Sequence, residues 1–348
     1  MHKKTFQWAV VGAGPAGIGA VGKLLDAGIE PQQILWLDPH FKVGDLGEYW
    51  RNVSSNTAVK IFHDFLEACP SFCLDKSPID FSIHHLPEQE TCTLSHMVEP
   101  LQWITQEFCT KVNAQPAVVQ ELTLQHRIWT LHTDYQKFAA QNVVLATGAL
   151  PEHLQYSNTE EIPFYTAIDR EKLSKVFNPD ETYAVFGASH SAILILRYLV
   201  ELGAKRIINF YKSPCRYAIS MDNWILFDNT GLKGKAAEWA RENIDGKLPP
   251  NLERHQSNEV NLGKYLPACD KAIYAVGFKK RDDISITHYP DLHYNPHLGI
   301  IAPGLFGLGI AYPELANNPY GSAEYQVGIW KFMAYLHKVL PLWLKYPA

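Results

Sequence analysis

Two short stretches of this sequence have the residue types and spacing to hold phosphate groups. Gly12-Ala-Gly14-Pro15-Ala16-Gly17 follows the apolar run FQWAVV and precedes a segment with helical spacing. Gly12 allows a tight turn, Gly14 lets the backbone approach a pyrophosphate, and Gly17 lets helix and strand pack closely. The unpaired N–H groups of the helix start then face the anion. Asp38 closes the next apolar strand, about 20 residues after Gly17, where a carboxylate can take ribose hydroxyls. Gly187-Ala-Ser189-His190-Ser191-Ala192 repeats the setting between TYAVF and ILILRYLVELG. It keeps the turn glycine and has small residues at the other two key places. Ser189 and Ser191 add hydroxyl donors, and His190 can hydrogen-bond a phosphate or a ribose. The strand after this loop ends Asn209-Phe-Tyr-Lys212-Ser213-Pro-Cys-Arg216, with no carboxylate at the place of Asp38. Lys212, Ser213 and Arg216 can instead meet a 2′-phosphate, Arg216 with two-pronged geometry.

Other chemistries find little support. His63-Asp64 and His84-His85 lack the partners of a triad or a metal site, and no metal is expected. There is no Gly-x-Ser-x-Gly elbow. The six cysteines include no Cys-x-x-Cys pair, so Cys69 and Cys73 read as reduced thiols. A net charge of −5 and the absence of a basic run exclude nucleic acid as a default partner. The apolar C-terminal stretch IWKFMAYLHKVLPLWL is short and interrupted by charge, which argues for a packed helix and against a membrane span. The cytoplasm is the default location, and the aromatic terminal helix leaves a homodimer open.

These stretches need elements to position them. Strand 6–11, helix 15–27 and strand 33–38 make one βαβ unit, and 182–211 makes a second. Helices are expected over 95–112, 232–243 and 320–339, paired strands over 117–134, and further strands at 142–147, 271–276 and 305–309. With 47% hydrophobic and 19% charged residues, the chain has ample apolar surface for two α/β domains.

The Gly-Pro loop, the strand-ending triads Ala146-Thr147-Gly148 and Ala275-Val-Gly277, and the second loop between them resemble the flavoproteins with two dinucleotide-binding domains. Trp50-Arg-Asn-Val-Ser-Ser-Asn56-Thr57 before Ile61-Phe-His-Asp-Phe65, Leu305–Gly309, and Glu324-Tyr-Gln326 resemble the flavin-containing monooxygenases within them. The resemblance implies two Rossmann-like three-layer α/β domains: an FAD-binding domain over 1–155 and 270–348, and an NAD(P)H-binding domain over 156–269 inserted into it. FAD would sit on the first loop, with Trp50, Thr147, Gly148, Gly277 and Gly309 around it, and NADPH on the second. Asn56 would hold a flavin hydroperoxide and NADP+ in register, Thr57 would orient either the cofactor or that amide, and Glu324 and Gln326 would lie on a late helix. The implied activity is oxidation of a soft nitrogen or sulfur atom, or of a ketone, in a small molecule by O2. Two departures bear on this. The family's Gly-Gly-x-Trp is spread into Gly44-Asp-Leu-Gly47-Glu-Tyr-Trp50, and residues 162–169 lack its Phe-x-Gly-x-x-x-His pattern. An oxidase or reductase that passes electrons to a quinone, a carrier protein or O2 stays open as the alternative, as does a flavoprotein redox sensor.

Overall fold

The computed structural model describes residues 4–156, 159–221, 224–287 and 292–348. Its two sheets grow from the two βαβ units. In the first, Thr5–Val11 lies parallel between Ile34–Asp38 and Lys137–Leu145, pairing Val11 with Leu37 and with Leu145. Every residue of Ile34–Asp38 is buried, as a strand covered on both faces requires. Leu305–Gly307 extends the sheet beyond Lys137–Leu145, and the hairpin of Val119–Gln125 and Ile128–Thr133 completes its antiparallel side. Helix Pro15–Asp26 covers one face and packs on the C-terminal helix Ile329–Trp343 through Met333, beside the buried thiol of Cys69. Met333, Tyr335, Leu336, Val339, Leu340 and Trp343 are buried, so this helix is part of the core. Among the described residues no helix is long and apolar enough to cross a membrane.

The second sheet is parallel throughout, in the order Glu160–Glu161, Lys271–Tyr274, Thr182–Phe186, Arg206–Tyr211, Leu252–Gln256. Its separate core is built on Tyr183, Val185 and the buried face of helix His190–Glu201. The strand at Lys271–Tyr274 corrects the expected boundary at 269/270. It pairs with Tyr183–Phe186 and so belongs to the second sheet. The two chain crossings between sheets are Ala149–Pro151 and Phe278–Lys280, zipped together as an antiparallel pair.

A second correction concerns the C-terminal region. Residues 320–328 are not helical: Ala323–Gln326 pairs antiparallel with Glu314–Asn317, and the helix starts only at Ile329. The alternating exposure of Ala323, Glu324, Tyr325 and Gln326 is that of a strand with one face outward. Helix 95–112 is found as Ser95–Lys111 and helix 232–243 as Gly234–Asn243.

Candidate active site

The two glycine-rich loops are built alike. Gly12 N–H donates to the Leu37 carbonyl at 2.8 Å, and Gly187 N–H to Phe210 at 2.9 Å. Ala146 N–H donates to Val11, and Ala275 N–H to Phe186. Both glycines have positive φ, +108° and +123°, and in both a Cβ would stand 2.3 Å from a neighbouring backbone oxygen, Ala146 or Ala275. No other residue fits there. Gly14 and Ser189 then take the same extended N-cap position, each ahead of a 12-residue helix.

The loops differ one turn further on. A Cβ on Gly17 would lie 2.0 Å from the Gly12 carbonyl, whereas Ala192 is accommodated and fully buried. Gly14 is different again, because a Cβ there would meet nothing within 4 Å. Packing explains Gly12 and Gly17. It does not explain Gly14, whose open side faces a cavity of about 660 Å³.

That cavity runs between the two sheets. Gly12, Gly14, Pro15, Ala16 and Asp38 line it. So do Trp50, Asn56, Thr57, Thr147 and Gly148, and His190 and Ser191 reach it from the second domain. The Thr147 hydroxyl is buried with no hydrogen-bond partner. An orphan polar atom on the wall and a helix start with open space in front of it fit a bound dinucleotide.

Asp38 is occupied more fully than a ribose acceptor needs. Its Oδ2 accepts from Ala13 N at 2.7 Å, and its Oδ1 from His40 N and Phe41 N at 2.9 and 2.7 Å. The carboxylate therefore fixes the first loop and the turn after its own strand. Asn56 lies on Ser54–Ala58, and its Oδ1 accepts from the Thr57 hydroxyl at 3.3 Å.

Of the other predicted site residues, Lys212, Ser213 and Arg216 are exposed at the end of Arg206–Tyr211, away from the cavity wall. Arg216 lies 5.5 Å from the Phe227 ring. Gly309, at φ +87°, lets the chain pass close to Ala16, and Gly277 follows the Lys271–Tyr274 strand. Glu324 and Gln326 stand outside the cavity: Glu324 accepts from Asn229 at 3.1 Å, and the Gln326 amide donates to the Glu324 carbonyl. The cavity is met instead by Val327, Gly328, Ile329 and Phe332.

Sequence reasoning missed a cluster in which Tyr165 and Phe164 of the second domain meet the first. The Arg281 guanidinium meets both oxygens of Asp45 at 2.8 and 2.7 Å. Burial pushes the Asp45 carboxyl above its ordinary value, against the pull of Arg281. Tyr165 stacks on Tyr49 at 4.2 Å, while Trp50 packs on Phe164 and Phe278. The short helix Gly44–Tyr49 carries Asp45 and Tyr49, and its first residue packs against Gly14. The spread glycines thus build one helix over the first loop. In the 162–169 stretch, Asp169 caps helix Arg170–Val176 and accepts from Asn52 at 3.1 Å. The Asp45 and Arg281 side chains are each 28% exposed. Asp45→Ala is expected to lower the urea midpoint by the equivalent of about 1–2 kcal/mol, between exposed and fully buried pairs. Asp45→Asn, which keeps a hydrogen-bond acceptor, should lose less, and an unchanged midpoint in Asp45→Ala would show that the pairing does not matter.

Two α/β domains, each with a glycine-rich loop between a parallel strand and a helix and opening on one cavity, define a two-dinucleotide oxidoreductase fold. Residues 9–225 match the pyridine nucleotide-disulphide oxidoreductase family. The chain is 33% identical to monooxygenase AgnR1 of Paecilomyces divaricatus, across 96% of this chain and 97% of that protein. It belongs to the pyridine nucleotide-disulphide oxidoreductase family, and AgnR1 is a relative within reach of sequence. Its fold is also that of the ornithine N-hydroxylase of Kutzneria sp. 744, with a TM-score of 0.69 at 11% identity over 98% of this chain and 99% of that one. The bacillithiol disulfide reductase of Staphylococcus aureus has the same fold, with a TM-score of 0.63 at 13% identity over 98% and 99%. The reductase likeness is one of fold. All six cysteines are free, and none of them lines the cavity.

Proposed function

We propose that this protein is an FAD-dependent, NADPH-using monooxygenase that oxidises a soft nitrogen or sulfur atom, or a ketone, of a small molecule with O2. One observation carries the reading: two equivalent glycine-rich loops from separate sheets open on a single cavity that also holds Asn56. Monooxygenase AgnR1 and the ornithine N-hydroxylase, solved with reduced FAD, NADP+ and L-ornithine, support it.

In this reading FAD lies on Gly12–Gly17 in the first domain, residues 1–155 and 278–348, and NADPH on Gly187–Ala192 in the second, 156–277. Bound FAD supplies the electron transfer and O2 chemistry. The chain's own part is binding, orientation and exclusion of water. The two helix starts meet the pyrophosphates, and the Thr147 hydroxyl donates to the flavin side. The Thr57 hydroxyl holds the Asn56 carboxamide so that its N–H donors serve the reacting centre. Trp50, Phe164 and Phe278 keep water from the cleft. We place the enzyme in the cytoplasm, as a monomer or a homodimer.

Purified protein should be yellow, and NADPH should bleach it anaerobically much faster than NADH does. Colourless protein that takes up no FAD would overturn the reading. Replacing both Lys212 and Arg216 by Ala should raise the NADPH KM roughly tenfold for each charged hydrogen bond lost, and leave the NADH KM within about twofold. Equal effects on the two would remove 2′-phosphate recognition from this loop.

A further inference from the structure

His190 is the first residue of its helix, where the first loop has Pro15, and its ring turns toward the other domain. Nε2 lies 3.0 Å from the carbonyl oxygen of Ser54. A carbonyl only accepts, so Nε2 carries the proton. Burial first, with the Lys233 charge adding to it, holds the imidazole below its ordinary pKa, against the pull of the Ser54 carbonyl. The ring is therefore neutral at neutral pH, and Nδ1 has a lone pair and no proton. That Nδ1 is sealed from solvent and has no hydrogen-bond partner.

The chemistry of the missing partner follows. An ionised phosphate offers no proton to a lone pair, and the helix N–H groups with Ser189 and Ser191 already suit it. Nδ1 calls for an O–H or N–H donor. Position selects which part of a dinucleotide provides one. His190 shares its cavity with Asn56, Thr57 and Trp50, whereas Lys212 and Arg216 lie outside it. The adenosine 2′-phosphate belongs with those two cations, so the group beside His190 comes from the opposite half. We propose that His190 Nδ1 accepts a hydrogen bond from the nicotinamide-ribose half of NADP(H), while its Nε2–H holds Ser54, two residues before Asn56. This rests on the reading of the second loop as the NADPH site. One imidazole then ties the nicotinamide end to the strand that carries Asn56, so the ligand and the flavin-side amide are positioned by the same side chain.

The test measures dissociation constants of FAD-loaded protein for NADP+ and for 2′,5′-ADP, which lacks the nicotinamide-ribose half. His190→Ala should weaken NADP+ about tenfold, the loss of one buried hydrogen bond, and change 2′,5′-ADP by less than about twofold. His190→Asn, whose carboxamide oxygen can accept, should recover part of the loss, and unchanged flavin content shows that the variants are folded. The 3-acetylpyridine analogue of NADP+ keeps the ribose and lacks the carboxamide N–H. A penalty that persists with it identifies a ribose hydroxyl as the donor, and one that vanishes identifies the carboxamide. Equal weakening of NADP+ and 2′,5′-ADP, or no weakening of NADP+, would overturn the proposal. Wild-type protein that retains FAD and binds neither ligand would instead overturn the NADPH site itself.

Discussion

Gly14→Val should give a protein that folds and cannot hold FAD. The side chain would enter open space, since an added Cβ meets no protein atom within 4 Å and the backbone at φ −74° and ψ 177° suits valine. Its structural cost is the weaker N-cap, about 1 kcal/mol. Its functional cost is the backbone approach to a pyrophosphate, which a branched side chain blocks. The expected result is a urea midpoint near that of wild-type apoprotein, flavin content below a tenth of wild type, and activity lost with the flavin. Gly12→Ala is the contrast. It forces a Cβ to 2.3 Å from the Ala146 carbonyl at φ +108°, so the protein itself should be destabilised by about 3 kcal/mol or more. If Gly14→Val keeps its flavin, the first loop is not the pyrophosphate site.

Asn56→Ala should separate cofactor binding from oxygen chemistry. Asn56 makes no contact with either glycine-rich loop through its one side-chain bond, to the Thr57 hydroxyl, so FAD content and reduction by NADPH should stay near wild type. What is lost is a preorganised N–H donor at the reacting centre, a class of group whose removal costs roughly a hundredfold or more. After the reduced variant is mixed with O2, oxidised flavin should return at least tenfold faster than in wild type, with hydrogen peroxide as the product. Thr57→Ala should move in the same direction with a smaller effect, because the amide remains and only its orientation is loosened. An unchanged rate of return in Asn56→Ala would take the role away from this residue.

The fold was legible where physics is local. The strand, turn and helix around Gly12 and Gly187 follow from an apolar run, a glycine that must adopt positive φ and a helical repeat, all within about 25 residues. Equal loop geometry could be inferred from that pattern, down to the small residue at Ala192. Long-range pairing was not legible. Lys271–Tyr274 reads as a buried strand in either sheet, and only its register against Tyr183–Phe186 decides which. Ala323–Gln326 takes its strand form from pairing with Glu314–Asn317, which no spacing within the segment announces.

The same limit applies to the site. Asp38, Asn56, Thr147 and His190 were found from motifs or from resemblance, and all four line one cavity. Asp45 and Arg281 lie far apart in sequence in stretches without a pattern, and they meet only because the two chain crossings bring Phe278–Lys280 back beside Ala149–Pro151. Asp45 had one faint signal, its place between the displaced glycines Gly44 and Gly47. Tyr165 had none beyond being aromatic. His190 was visible as a residue of the second loop, but its partner Ser54 lies in the other domain, so the direction of its ring could not be read from the loop.

The central claim, that this fold and cavity serve oxygen insertion and not mere electron transfer, is tested most directly by rapid mixing. NADPH-reduced protein is mixed with O2 without substrate, and its absorbance spectrum is followed until oxidised flavin returns. A monooxygenase of this kind should show a distinct absorbing species, neither reduced nor oxidised flavin, that persists before the oxidised spectrum appears. Direct return of oxidised flavin in a single step, with hydrogen peroxide formed in equal amount, would contradict the account and leave an oxidase.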